Sequence, residues 1–97
     1  MINTNKRVEE ITNRWKITDE IVYINNPPEN YVLNETGTKI WRLINGYNTV
    51  EDIINKLIKE FNEIEDEATV RSYVIEFFEQ AIENKLVELK EVSEEDW

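Results

Sequence analysis

This 97-residue sequence contains no cysteine and no histidine. Those two absences exclude disulfides, thiolate zinc sites, and catalysis that depends on a cysteine nucleophile or a histidine base. Carboxylates alone can still bind a hard cation, but the sequence has no Asp-x-Asp-x-Asp-Gly calcium loop. We therefore expect neither an enzyme nor a protein with a bound cofactor or metal.

Glycine and proline are also scarce, with two of each. Such a composition argues against a linker-rich or low-complexity chain, and 40% apolar residues suit one small domain. No run reaches the roughly 18 apolar residues that a membrane helix needs. The polar N-terminus lacks the apolar core of a signal peptide. The expectation is a cytoplasmic protein without a membrane partner.

Basic residues are few compared with acidic ones, 11 against 21, which gives a formal net charge of −10. The imbalance is concentrated in residues 62–97, which carry twelve acidic and three basic side chains. An acidic surface repels phosphate backbones and attracts basic partners. The simpler alternative is that these carboxylates only form a solvated surface.

The first third of the chain predicts three antiparallel strands, because β-branched and aromatic residues are concentrated in three short runs. A polar turn over residues 18–20 separates the first two runs, and the two prolines within residues 25–30 separate the second from the third. Residues 1–11 show little periodicity and are expected to be flexible or loosely docked. The predicted strands are Thr12–Ile17, Ile21–Asn25 and Tyr31–Leu33.

Three helices are predicted after these strands. The first, about Glu35–Ile44, follows Asn34, a favoured N-cap residue, and Gly46 is placed to end it. The second opens with a capping box that begins at Thr49. The third, about Asp66–Asn84, has the strongest amphipathic pattern in the chain. Its apolar residues at helical spacing are Val70, Tyr73, Val74, Phe77, Phe78, Ala81 and Ile82.

The order of these elements predicts an α+β fold, a winged helix-turn-helix with a three-stranded antiparallel sheet followed by three helices. Leu86–Leu89 is expected to return as a short strand or wing. Residues 12–90 are expected to form a single domain, and residues 91–97 an acidic tail. No internal repeat is present.

Several short motifs resemble those of the PqqD-like family, the leader-peptide recognition domains of ribosomally synthesised and modified peptides. The sequence contains almost all of the family pattern, which is LN-x-T-G followed in order by I-W, G and T-v-x-x-I. The resemblance covers roughly Thr12–Leu89. The chain departs from it at Asn45, where the family usually has Asp, and at Pro27-Pro28, where a short polar turn is commoner. The matching segments are Tyr31–Gly37, Ile40-Trp41, Asn45-Gly46, Thr49–Ile53 and Asn84–Val87.

The resemblance implies a non-catalytic module. In such domains the leader of a precursor peptide adds as an antiparallel strand to the third strand, in the groove beside the third helix. The domain then presents the precursor to a modifying enzyme, such as a radical S-adenosylmethionine enzyme, a cyclase or a leader protease. The residues implied to contact the leader are Tyr31, Val32, Leu33, Val70, Arg71, Tyr73, Val74 and Phe77.

Each of these residues also has a purely structural interpretation. Leu33 suits the core, and the apolar residues of the third helix serve equally well as core or as groove wall. Arg71 could pair with a leader carboxylate, but a salt bridge with Glu67, four residues earlier on the same helix, is the expected pairing.

Two other functions remain open from the sequence. DNA binding is the usual role of a winged helix, but the third helix carries five acidic residues and one basic residue, the reverse of what phosphate contacts require. A protein–protein adaptor or dimerisation module without peptide strand addition shares the fold and the acidity.

Overall fold

A computed structural model describes residues 2–61 and 65–92 of the chain. These residues form two antiparallel sheets and three helices. The predicted α+β class is confirmed, and the arrangement is compatible with a winged helix-turn-helix. In chain order the elements are β1 (Arg7–Glu10), β2 (Trp15–Thr18), β3 (Ile21–Asn26), β4 (Glu29–Val32), α1 (Glu35–Arg42), α2 (Val50–Glu60), α3 (Glu67–Glu83) and β5 (Val87–Lys90).

The three-stranded sheet has the order β2-β3-β4, so β2 and β4 are its two edges. Two-residue turns connect the strands. Asp19 and Glu20 both adopt positive φ, at 52° and 66°, which matches the right-handed twist of the flanking strands. Pro27 and Pro28 form the second turn and lie outside the ladder, where their missing N–H groups cost no pairing.

Helix α1 has a defined N-cap and is joined to this sheet by a side-chain hydrogen bond. The side chain of Asn34 accepts a hydrogen bond of 2.7 Å from the N–H of Gly37, which confirms the predicted N-cap. One turn later, the hydroxyl oxygen of Thr38, a side chain only 3% exposed, accepts a hydrogen bond of 3.1 Å from the N–H of Val22 in β3. The helix therefore begins at a fixed position against the end of the β3–β4 ladder.

The core lies between the inner face of this sheet and the three helices. Trp41 of α1 is 1% exposed and packs edge-to-face against Trp15, with ring centroids 6.0 Å apart. The capping box predicted at Thr49 is confirmed, since Thr49 and Asp52 exchange both hydrogen bonds at the start of α2. The buried apolar residues are Val8, Val22, Ile24, Ile40, Trp41, Ile44, Val50, Ile53, Ile54, Leu57, Val70, Val74, Phe78, Ala81, Leu86 and Val87.

The prediction that residues 1–11 are loosely docked is wrong for β1. Arg7–Glu10 pairs with β5 in an antiparallel ladder, and Val8 is fully buried. The N–H of Val8 also donates to the carbonyl of Asn48, just before α2. A four-residue strand with one apolar side chain has no local signature, because its stability comes from a partner some 80 residues away. The wing predicted near Leu86–Leu89 is thus half of a two-stranded sheet.

Most of the predicted acidic tail, residues 93–97, lies outside the described residues. Across residues 2–61 and 65–92, none of the helices combines the length and apolarity needed to cross a bilayer.

Candidate functional site

The edge strand β4 directs part of its backbone away from the sheet. The N–H of Leu33, just after the strand, donates to the carbonyl of Val22 in β3 at 3.0 Å. Because antiparallel pairing alternates along a strand, Tyr31 also directs its backbone groups toward β3. The N–H and C=O groups of Asn30 and Val32 therefore point outward, and the side chain of Val32 is 64% exposed. This outward row of donors and acceptors is suited to pairing with another extended chain.

A cavity of about 220 Å³ separates β4 from the C-terminal half of α3. Gly37 lines this cavity, and a Cβ added at Gly37 would lie 3.3 Å from the ring of Phe77 and 3.4 Å from Leu33. The absence of a side chain at Gly37 therefore lets α1 approach α3 closely. The cavity is lined by Tyr31, Val32, Leu33, Asn34, Gly37, Phe77, Gln80, Ala81, Asn84 and Leu86.

A second cavity of about 460 Å³ continues from the first, between α1 and α3. Four residues line both cavities, so the two form one groove along α3. We call this the α3 groove. Its further end is lined by Thr36, Ile40, Phe61, Glu65, Tyr73 and Glu76, and the shared residues are Asn34, Gly37, Phe77 and Gln80.

Five of the eight residues implied by the resemblance line the α3 groove. Three of them, Tyr31, Val32 and Leu33, lie on its β4 side. The other two, Tyr73 and Phe77, lie on α3. The structure therefore places these five residues along one groove. The side chain of Val32 points to the opposite face of the sheet from those of Tyr31 and Leu33, because side chains alternate along a strand.

The other three implied residues lie elsewhere on α3. Val70 and Val74 are 1% and 0% exposed and belong to the core rather than to the groove wall. Arg71 is on the side of α3 that packs against α2, where its guanidinium donates two hydrogen bonds to the carboxylate of Glu51, at 3.0 and 2.6 Å. The predicted pairing of Arg71 with Glu67 is therefore wrong. A bidentate geometry with Glu51 is available only through the tertiary contact between the helices.

This ion pair alters the titration of its carboxylate. The hydrogen bond from Arg71 holds the pKa of Glu51 below its ordinary value of 4.5, and a hydrogen bond from Thr4 acts in the same direction. A lowered pKa in the folded state means that the carboxylate contributes stability above pH 4.5, and that this contribution is lost as the pH falls through the lowered value.

The substitution Glu51→Gln should therefore destabilise the protein at a pH of about 6 and have little effect at a pH of about 3. Urea unfolding of both proteins at each pH measures the difference. In the Arg71→Gln background most of this pH dependence should be absent. If Glu51→Gln costs the same stability at both pH values, the ion pair of Glu51 with Arg71 does not stabilise the fold as its geometry indicates.

The sequence interpretation missed several groove residues, chiefly Glu76, Gln80 and Asn84. They had a usable signal. On a helical wheel they lie with Tyr73 and Phe77 on one face, about 100° from the buried stripe of α3. No sequence pattern other than helix capping marks Gly37, Asn34 or Thr36. Their position in the groove depends on how α1 meets α3.

Within the described part of the chain, no three His, Cys, Asp or Glu side chains are grouped so as to hold a metal ion. The α3 groove offers backbone donors and acceptors along β4, an apolar and aromatic surface on α3, and the carboxylates of Glu65 and Glu76.

Comparison with known proteins relates the chain to a known family. No curated protein and no solved structure matches the chain significantly. The family model described as "Coenzyme PQQ synthesis protein D (PqqD)" matches residues 20–87, which include β3, β4 and all three helices. That match spans well over half of the chain and associates it with natural-product biosynthesis. The chain belongs to the PqqD family.

Proposed function

We propose that this protein binds the leader segment of a ribosomally synthesised precursor peptide, without catalysing a reaction itself. The leader adds as an antiparallel strand to β4, the third strand of the three-stranded sheet, and lies in the α3 groove. The bound precursor is then delivered to a separate modifying enzyme, such as a radical S-adenosylmethionine enzyme, a cyclase or a leader protease.

The observation that carries this proposal is the outward-facing backbone of β4 beside a groove. In the described residues, no backbone group from another element bonds to Asn30 or Val32 on that side. Strand addition uses such an edge for affinity, and pockets for alternate side chains for specificity. The α3 groove supplies those pockets on the inner side of the guest strand.

The composition of the groove also suits a peptide. Ring and aliphatic surfaces of Tyr31, Leu33 and Phe77 can bury apolar leader side chains. The amide side chains of Asn34, Gln80 and Asn84 offer hydrogen bonds at its rim. A free leader is disordered, so part of the gross interaction energy is spent on ordering it, and micromolar to nanomolar affinity is the expected range.

Amide-shift mapping tests the proposal. The isotope-labelled protein is titrated with a synthetic peptide that corresponds to a candidate leader. The largest shifts are expected along residues 29–34 and along the groove face of α3, at Tyr73, Phe77 and Gln80. Shifts confined to β1, β5 or residues 91–97 would contradict strand addition at β4.

Two other functions remain as outcomes of further measurements. If the outward edge of β4 pairs with a second copy of the chain, sedimentation should show a concentration-dependent dimer that the leader does not dissociate. If the protein binds DNA, titration with a duplex at low salt should show salt-sensitive binding. The net charge of −10 and the acidic residues of α3 oppose the second outcome.

A further inference from the structure

The α3 groove extends past the end of β4, and this extension has a chemical character of its own. Building on the proposed strand addition, we propose that it binds a lysine or arginine side chain of the leader. That residue lies on the N-terminal side of the leader residues that pair with β4.

The direction of the guest chain determines which part of it reaches the extension. Strand β4 runs from Glu29 toward Asn34, where α1 begins. An antiparallel partner therefore passes Asn34 before it pairs with Val32. The residues that precede its strand lie along the 460 Å³ cavity between α1 and α3.

Aromatic surface and carboxylates meet in this cavity. Tyr73 is 42% exposed, and Glu76 follows it by three residues on the same face of α3. Phe77 continues the apolar surface, and Glu65 also lines the cavity. Long cationic side chains lay their methylene groups on apolar or aromatic surface while the charged end reaches a carboxylate.

Lys39 and Arg71, on the two helices that border the cavity, are already paired. Lys39 of α1 forms an ion pair with Glu60 at 2.8 Å and lies 5.0 Å from the ring centroid of Phe61. Arg71 is held by Glu51 on the α2 side of the helix. Among residues 2–61 and 65–92, neither Glu65 nor Glu76 forms an ion pair, so a guest cation meets uncompensated negative charge. The net charge of −10 favours a basic segment in the same way.

The test uses a display library of random linear peptides selected on the whole protein, because it does not depend on knowing the leader. Peptides whose binding is lost in the Val32→Pro protein are retained as strand-addition ligands. Lysine and arginine are expected to be enriched at positions N-terminal to the apolar, strand-forming residues of these peptides.

Substitutions at Glu76 then test the contact itself. Glu76→Gln should weaken such peptides about two- to fivefold at low salt, as expected for a partly exposed ion pair. Glu76→Lys should weaken them further and select acidic residues at the same positions. The matched control is Glu79→Gln, which removes the same charge one turn along but on the solvent face of α3, and it should leave affinity unchanged.

The outcomes separate this inference from the proposed function. If Val32→Pro-sensitive peptides are selected without basic enrichment, or bind Glu76→Lys equally well, the cation site is refuted while strand addition stands. If no selected peptide is sensitive to Val32→Pro, strand addition at β4 fails and the cation site fails with it. If Glu79→Gln weakens peptide binding as much as Glu76→Gln does, the effect comes from the overall charge of the protein. That result would also overturn the cation site.

Discussion

The substitution Val32→Pro should weaken leader binding at least tenfold and leave the fold largely intact. The N–H of Val32 points away from β3, so proline removes a donor to the guest strand and no hydrogen bond of the native ladder. The loss combines one net hydrogen bond of about 0.5–1.5 kcal/mol with an unpaired carbonyl on the guest, about 1–3 kcal/mol if buried. Calorimetric titration measures the affinity, and urea unfolding the stability.

The opposite edge of the same sheet provides the matched control. In β2, the pairing of Lys16 with Tyr23 places the backbone of Ile17 outward, as Val32 is in β4. Ile17→Pro should therefore leave leader affinity unchanged, and Val32→Ala, which keeps the N–H, should weaken it less than proline does. If Ile17→Pro abolishes binding while Val32→Pro does not, the guest uses the other edge.

The substitution Trp41→Ala should cost a large part of the stability of the fold. Trp41 is 1% exposed, packs against Trp15 and sits where α1 meets the sheet. Removing a buried aromatic side chain of this size costs about 3–5 kcal/mol, against a total stability of about 5–15 kcal/mol for a domain. Urea unfolding followed by far-ultraviolet circular dichroism measures this loss, since fluorescence would lose one of its reporters.

The conservative variant Trp41→Phe separates packing from polarity. Among the described residues, the indole nitrogen of Trp41 is buried without a hydrogen-bond partner. Phenylalanine keeps much of the ring contact and removes this unpaired N–H, so its cost should be well below that of alanine. Equal destabilisation by both variants would mean that the indole N–H has a stabilising partner.

Local chemistry explains which parts of the fold the sequence predicts well. Asn34 and Thr49 act within a few residues of themselves, and both are the N-caps that their side chains indicate. The prediction that Gly46 ends α1 is wrong, because the helix ends at Arg42 with Leu43 as its C-cap, and Gly46 lies in the following loop at a φ of 82°. The boundaries shift by a few residues: β4 begins at Glu29 and α1 ends at Arg42. These elements and the family match account for the three-stranded sheet and the three helices.

Long-range contacts explain what the sequence does not reveal. The pairing of β1 with β5 and the bond from Arg71 to Glu51 join segments that are far apart in the chain, so neither leaves a local pattern. Val70 and Val74 show a related limit. Periodicity identifies the apolar side of α3, but only the packed structure separates its buried centre from the margin that faces the groove.

If the leader binds and is delivered as proposed, the short length of β4 has a kinetic consequence. Only Asn30 and Val32 present outward backbone groups, so a guest strand gains at most four main-chain hydrogen bonds there. At about 0.5–1.5 kcal/mol each, these bonds alone cannot hold a peptide for long. Residence time then depends on the side chains in the groove, and a modifying enzyme that engages the precursor can release it without unfolding its carrier.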